Sequence, residues 1–201
     1  NFNVTVGDEA GTAITTGDSN TLIGYLAGDA ITTVNFITAV GEKALSANTS
    51  GQKNTALGRA ALQSITSQDN NTAVGYNSLS GGNNAGGNNT AIGSDTLSGN
   101  TTGDNNVALG YNALAANTTA SSNVAIGRGA LDATTTGSSN TSVGDMSSSA
   151  NTTGANNTAI GTLALTANTT AAGNVAVGYA ALTTNTTGAS NVAVGLEALV
   201  N

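Results

Sequence analysis

A chain of 201 residues with 3% aromatic and 7% charged side chains, and no Trp, Cys, His or Pro, lacks the large side chains that fill the wide core of an ordinary globule. Its net charge of −7, with Lys43, Lys53, Arg59 and Arg128 as the whole basic complement, excludes nucleic acid as a partner, because nothing is there to neutralise a phosphate backbone. No apolar run approaches the ~20 residues of a membrane helix, so no membrane insertion is expected of this segment, and the missing cysteines remove disulfides and thiolate chemistry.

Periodicity decides between a folded and a disordered reading of so much Gly, Ser, Thr and Asn. Glycine recurs at Gly7, Gly24, Gly41, Gly58, Gly75, Gly93, Gly110, Gly127, Gly144, Gly161, Gly178 and Gly195. Every interval is 17 residues except that from Gly75 to Gly93, which is 18. An aliphatic residue precedes each glycine, from Val6 and Ile23 to Val177 and Val194. Numbered from the glycine, the unit reads G-x-x-A-L-x-A-N-T-T-G-x-x-N-[TV]-A-[VI]. A helix pair needs about 30 residues or more per repeat, whereas this unit is short, rich in Thr and Val, and punctuated by glycine. The expected fold is all-β: a parallel β-solenoid of about twelve 17-residue coils, forming a single domain over residues 1–201.

Taken in chain order, the first coils, residues 1–37, are irregular, with Gly11 and Gly28 where Leu is usual and with Ile14 and Ile31 expected to restore the lost volume. Regular coils follow, in which [TV]-A-[VI] before each glycine is the surest strand and L-x-A-N-T-T is expected as a second. The coil over 76–93 holds the one-residue insertion in Gly81-Gly82-Asn83-Asn84-Ala85-Gly86-Gly87, and its glycines mark the expected bulge or bend. Regular coils resume to Leu199-Val200-Asn201, which stops in mid-coil without a polar cap, as expected of a piece of a longer fibre.

Asn54-Thr55-Ala56-Leu57-Gly58, Asn123-Val124-Ala125-Ile126-Gly127 and Asn174-Val175-Ala176-Val177-Gly178 resemble the N-S-V-A-I-G repeat of trimeric autotransporter adhesin heads. The longer unit, with its A-L and N-T-T-G segments, resembles repeats of phage tail fibres still more closely, and the resemblance covers nearly the whole chain. It implies a left-handed parallel β-roll, a homotrimer and an extracellular, cell-surface or virion setting, with a role in attachment or as a fibre shaft. The 17-residue coils depart from the shorter coils of adhesin heads, and no stalk or membrane-anchor segment is expected within these 201 residues.

The columns of the repeat carry their own signals. Four residues before the glycine stand Asn3, Asn20, Asn54, Asn71, Asn89, Asn106, Asn123, Asn140, Asn157, Asn174 and Asn191, interrupted only by Ile37. Seven residues after it stand Asn48, Asn100, Asn117, Asn151, Asn168 and Asn185, with Ile14, Ile31 and Ile65 among the replacements. Columns that accept Asn or Ile but no charge are shielded from water, so two inward asparagine ladders are expected, their amides bonding each other and the turn backbone. Asn100, Asn117, Asn151, Asn168 and Asn185 each begin an N-T-T sequon, but an inward amide is closed to glycosylation.

The strand segment reads Thr or Val, then mostly Ala, then Val or Ile, which leaves both faces apolar. A thin coil buries one of them, so the other calls for a partner, and self-association into a homotrimer or fibre is expected. The two positions after the glycine hold nine of the fifteen charged residues and all four tyrosines. That corner is the exposed rim, and Tyr25, Tyr76, Tyr111, Tyr179, Arg59 and Arg128 are the candidate anchors for a surface glycan or host receptor. Thr15, Thr32, Thr49, Thr66, Thr101, Thr118, Thr135, Thr152, Thr169 and Thr186 form a further row, which raises ice binding as the alternative function, against ordinary cross-strand Thr stacking.

Without His, Cys, a P-loop or recurring carboxylate pairs, the chain offers no catalytic constellation, no metal site and no cofactor site. The expected function is a non-catalytic structural or adhesive fibre segment.

Overall fold

The structure, a computed structural model, describes residues 2–82 and 86–200. Its regular elements are twelve strands of three residues each. The first six are β1 (Val4–Val6), β2 (Thr21–Ile23), β3 (Thr38–Val40), β4 (Thr55–Leu57), β5 (Thr72–Val74) and β6 (Thr90–Ile92). The second six are β7 (Val107–Leu109), β8 (Val124–Ile126), β9 (Thr141–Val143), β10 (Thr158–Ile160), β11 (Val175–Val177) and β12 (Val192–Val194). All twelve lie in one sheet in sequence order, and every pairing is parallel and in register with the equivalent residue one repeat on, as Ala56 with Ala73 and Ala125 with Ser142. The chain is a parallel β-solenoid of about eleven turns between β1 and β12. At ~4.8 Å per strand that sheet is about 50 Å long.

The local reasons are visible in one coil. β-Branched residues flank a small central one, which suits a pleated strand whose middle side chain points inward. Ala56, Ala73, Ala91, Ala108, Ala125, Ala159 and Ala176 are fully buried there. Opposite them, four residues after the glycine, Leu45, Leu62, Leu79, Leu97, Leu114, Leu131 and Leu165 are fully buried as well. A small column facing a large one makes a narrow core, each Leu contributing about 2 kcal/mol of burial.

The glycine itself closes the strand. Gly110 has φ +131°, a region only glycine enters without strain, and a Cβ placed on it would lie 2.5 Å from the carbonyl oxygen of Gly127. Both conditions recur along the column up to Gly178, so the invariant spacing of glycine reflects backbone touching backbone between coils.

L-x-A-N-T-T is not a strand; it runs as successive turns. Lys43 (φ 58°) and Leu45 (φ 53°) are left-handed, which points their N–H groups opposite ways. Lys43 N–H donates to Tyr25 O in the preceding coil and Leu45 N–H to Ala61 O in the following one. Thr49 and Ser50 N–H then converge on the single carbonyl of Thr66. An extended ladder would give each N–H its own acceptor, so the β-propensity of the threonines is overruled by a turn that Asn48 closes, bonding both Gly51 O and Gly51 N–H.

The irregular coils are accommodated in specific ways. In β2 the strand centre is Leu22, fully buried, and a Cβ on Gly28 would lie 2.8 Å from Leu22 Cδ2 and one on Gly11 2.7 Å from Leu22 Cδ1. Leu22, together with Ile14 and Ile31, therefore fills the space that a Leu occupies elsewhere. The insertion leaves the ladder intact, with Ala73 still paired to Ala91; Asn83, Asn84 and Ala85, where the bulge was expected, lie outside the described residues. Around β9 the core turns polar: Ser142, Ser147 and Ser148 replace Ala, Ala and Leu, all buried, and Ser142 Oγ donates to Ser147 O at 2.8 Å. The apolar core accordingly falls into one cluster ending at Leu131 and another beginning at Ala159.

Only the inner strand face is buried within the chain. The residues beside the central Ala point outward and remain at least partly exposed, Leu109 at 43% and Ile160 at 41%.

Candidate functional site

The two asparagine columns face inward and meet. In the column before the strand, each Asn Oδ1 accepts the backbone N–H of the equivalent residue one coil on: Asn54 from Asn71, Asn71 from Asn89, Asn89 from Asn106, Asn106 from Asn123, at 2.9–3.0 Å. The same geometry continues from Asn123 through Asn140, Asn157 and Asn174 to Asn191. Most of the Nδ2 groups donate across the coil to the carbonyl 14 residues later, as Asn140 to Gly154 O and Asn157 to Ala171 O, both 2.8 Å. The second column reaches the same acceptors from the other side, Asn151 to Gly154 O at 3.0 Å and Asn168 to Ala171 O at 3.1 Å. Amide-to-amide bonds are the minor part of the pattern, for example Asn117 Nδ2 to Asn100 Oδ1 at 2.8 Å. Ile37 interrupts the first column by filling the volume, its N–H still bonded to Asn20 Oδ1. Asn100, Asn117, Asn151 and Asn168 of the sequons are essentially without solvent contact.

The rim lies just past the glycine corner, and there side chains one coil apart stack. Tyr25, Tyr76, Tyr111 and Tyr179 all stand about half exposed. Arg59 pairs with Glu42 through Nε at 3.3 Å and lies over the Tyr76 ring, 5.6 Å from its centre. Arg128 grips Asp145, with Nε and Nη2 each 2.9 Å from one carboxylate oxygen. Tyr111 and Arg128, with Asn112, Gly129, Asp132 and Met146, line a depression of about 170 Å³. Burial raises the Asp132 carboxyl above its ordinary pKa, a bond from the Ala133 N–H working the other way. Tyr25 lies one coil before Glu42 and Tyr179 two coils after Asp145, three and four coils from the nearest other tyrosine.

No protein family, curated protein or solved structure matches the chain.

Several rim partners escape a reading by residue type. Glu42, Asp145, Asn77, Asp95, Asn112 and Asp132 were not among the anchors, yet acid and arginine 17 residues apart, as Glu42 with Arg59 and Arg128 with Asp145, are coil-to-coil neighbours by the repeat alone. The Thr row is also more specific than stacking: Thr49, Thr101, Thr118, Thr135 and Thr152 donate Oγ1 to the equivalent carbonyl of the next coil. Among the described residues no three His, Cys, Asp or Glu side chains come together as a metal site.

Proposed function

We propose that the chain is a non-catalytic structural and adhesive segment of an extracellular or virion fibre, of the phage tail-fibre or adhesin-head kind. In this reading three left-handed rolls lie side by side, and each covers the outer sheet face of its neighbours. The observation that carries it is the apolar column just before the glycines, from Val6 and Ile23 through Leu57, Leu109 and Ile160 to Val194, which runs unbroken in register on the outer face of all twelve strands with every member at least partly exposed. Monomers rarely leave so long an apolar strip wet. The rim, with its tyrosines and arginines, stays outside the assembly and is free to touch a surface glycan or receptor.

Light scattering at micromolar concentration tests this. Three chains per particle are expected, and Leu57→Lys, Leu109→Lys and Ile160→Lys together are expected to release folded monomer. A wild-type chain that stays monomeric and soluble overturns the reading. Ice binding is the less supported alternative, because the Thr row that would face ice gives its hydroxyls to backbone carbonyls; an absence of thermal hysteresis is the expected result.

A further inference from the structure

Read up the rod, the rim position holds Glu42, Arg59 and Tyr76, then Ser94, then Tyr111, Arg128 and Asp145. The order of residue types is mirrored about Ser94, acid–Arg–Tyr below and Tyr–Arg–acid above. We propose that this patch is a binding site for an uncharged, extended oligosaccharide lying along the rod, with sugar rings stacked on Tyr76 and Tyr111 and an N-acetyl substituent seated in the depression beside Tyr111. The proposal deepens the reading of the rim as a contact surface and rests on it.

Geometry supplies the span. Tyr76 and Tyr111 are two coils apart, about 10 Å at the strand spacing of a sheet, which is roughly a disaccharide unit of an extended chain. Ser94 between them is small, so the two rings stand as separate platforms. Both are half exposed, at 50% and 55%, and a tyrosine offers a rigid amphipathic face at little entropic cost. The Arg59 guanidinium over Tyr76 helps hold that ring, and each arginine is itself anchored on its far side by an acid. The Tyr76 platform is thus ordered before a ligand arrives, and Tyr111 forms one wall of the depression beside it.

Chemistry supplies the class. Alongside the rings runs a polar row in which Asn77 Nδ2 donates to Asp95 Oδ1 at 2.8 Å and Ser94 Oγ to Asp95 Oδ2 at 2.9 Å. A carboxylate held in this way keeps further lone pairs for hydroxyl donors. Counting Glu42, Asp95, Asp132 and Asp145 against Lys43, Arg59 and Arg128, acids outnumber bases by one, so a polyanionic glycan gains no net attraction. In the depression, Gly129 is what admits Met146: a Cβ there would lie 2.6 Å from Met146 Sδ. The thioether offers an apolar surface for an acetyl methyl, and Asn112 and Asp132 offer amide-competent groups on the same lining.

Calorimetric titration of the intact chain with tetra-N-acetylchitotetraose, cellotetraose and a heparin tetrasaccharide tests the proposal. The expected order is the N-acetylated oligomer tighter than cellotetraose, with no heat from heparin. Tyr76→Ala and Tyr111→Ala are each expected to weaken binding roughly tenfold or more, and Gln52→Ala, at an exposed position away from the rim corner, to change it less than about twofold. Binding of neither neutral oligomer at millimolar concentration, preference for heparin, equal affinity for the two neutral oligomers, or indifference to Tyr76 and Tyr111 overturns it. Circular dichroism on each variant verifies folding, which these exposed positions should leave intact. Light scattering on the same samples separates the two readings: a monomer that binds the oligomer sinks the fibre alone, and an assembly that ignores it sinks the site alone.

Discussion

Asn123 shows what one side chain does for a coil. Its Oδ1 accepts the Asn140 N–H at 2.8 Å, and its Nδ2 donates to Gly137 O at 3.0 Å and to Asn106 Oδ1 at 3.3 Å, all out of contact with water. Removing the amide orphans the Asn140 N–H and the Gly137 carbonyl, while Asn106 Oδ1 keeps the Asn123 backbone N–H. Asn123→Ala is therefore expected to lower stability by about 3 kcal/mol, the cost of leaving such groups unpaired. Asn123→Ile should cost less, because the volume stays filled as at Ile37, which is itself 1% exposed. Chemical denaturation of the pair checks this, and an Ala variant as stable as wild type would show that the ladder is decorative. The inward placement of these amides was legible from the exchange of Asn for Ile without any charge; their choice of backbone over each other as partner was not, because column composition carries no direction.

An element here is one coil, and its two halves were not equally legible. The strand half announces itself through Thr or Val, Ala, and Val or Ile before a glycine. The turn half misleads, since Leu and Thr are poor advertisements for left-handed backbone, yet Leu62 has φ 53° and Leu114 φ 52°. The available hint lay in the exceptions: Gly11 and Gly28 at the Leu position, Gly129, Asn77 and Asn112 two residues earlier, all residue types tolerant of that conformation. Gly28 at φ 57° already has the backbone a leucine adopts in other coils, and what keeps leucine out is Leu22 together with Ile31, each with a Cδ atom 2.8 Å from where its Cβ would be. Leu22→Ala alone should cost about 3 kcal/mol through the cavity it leaves. Gly28→Leu alone should cost about 2 kcal/mol by overpacking. Combined, they recreate the usual Ala–Leu pair, and recovery of roughly 2 kcal/mol is expected, less than complete because the space beside Gly11 stays empty. Strict additivity in the double-mutant cycle would mean that the two sites do not share one volume.

Over the whole molecule each strand pairs only with its sequence neighbours, so stability is close to a sum over adjoining coils and is limited by the weakest junction. That junction is the coil of β9, where Ser142, Ser147 and Ser148 interrupt the apolar column and divide the core. Ser148 has φ 49°, the backbone of Leu131 (φ 53°) and Leu165 (φ 54°) on either side, so a leucine there needs no change of path and would bury about 2 kcal/mol of side chain. Beyond the break the second cluster is short, from Ala159 to Ala193. Amides of β10 and β11 are accordingly expected to exchange with deuterium about tenfold faster than those of β7 and β8, because the shorter block opens by itself. Ser142→Ala, Ser147→Ala and Ser148→Leu together should join the clusters and bring the four strands to one rate. Replacing all three avoids stranding a lone hydroxyl, since Ser142 Oγ bonds within this group. Equal rates already present in the wild-type chain would mean that backbone pairing alone carries cooperativity across the polar coil; unequal rates that the triple variant leaves unchanged would place the weak junction elsewhere.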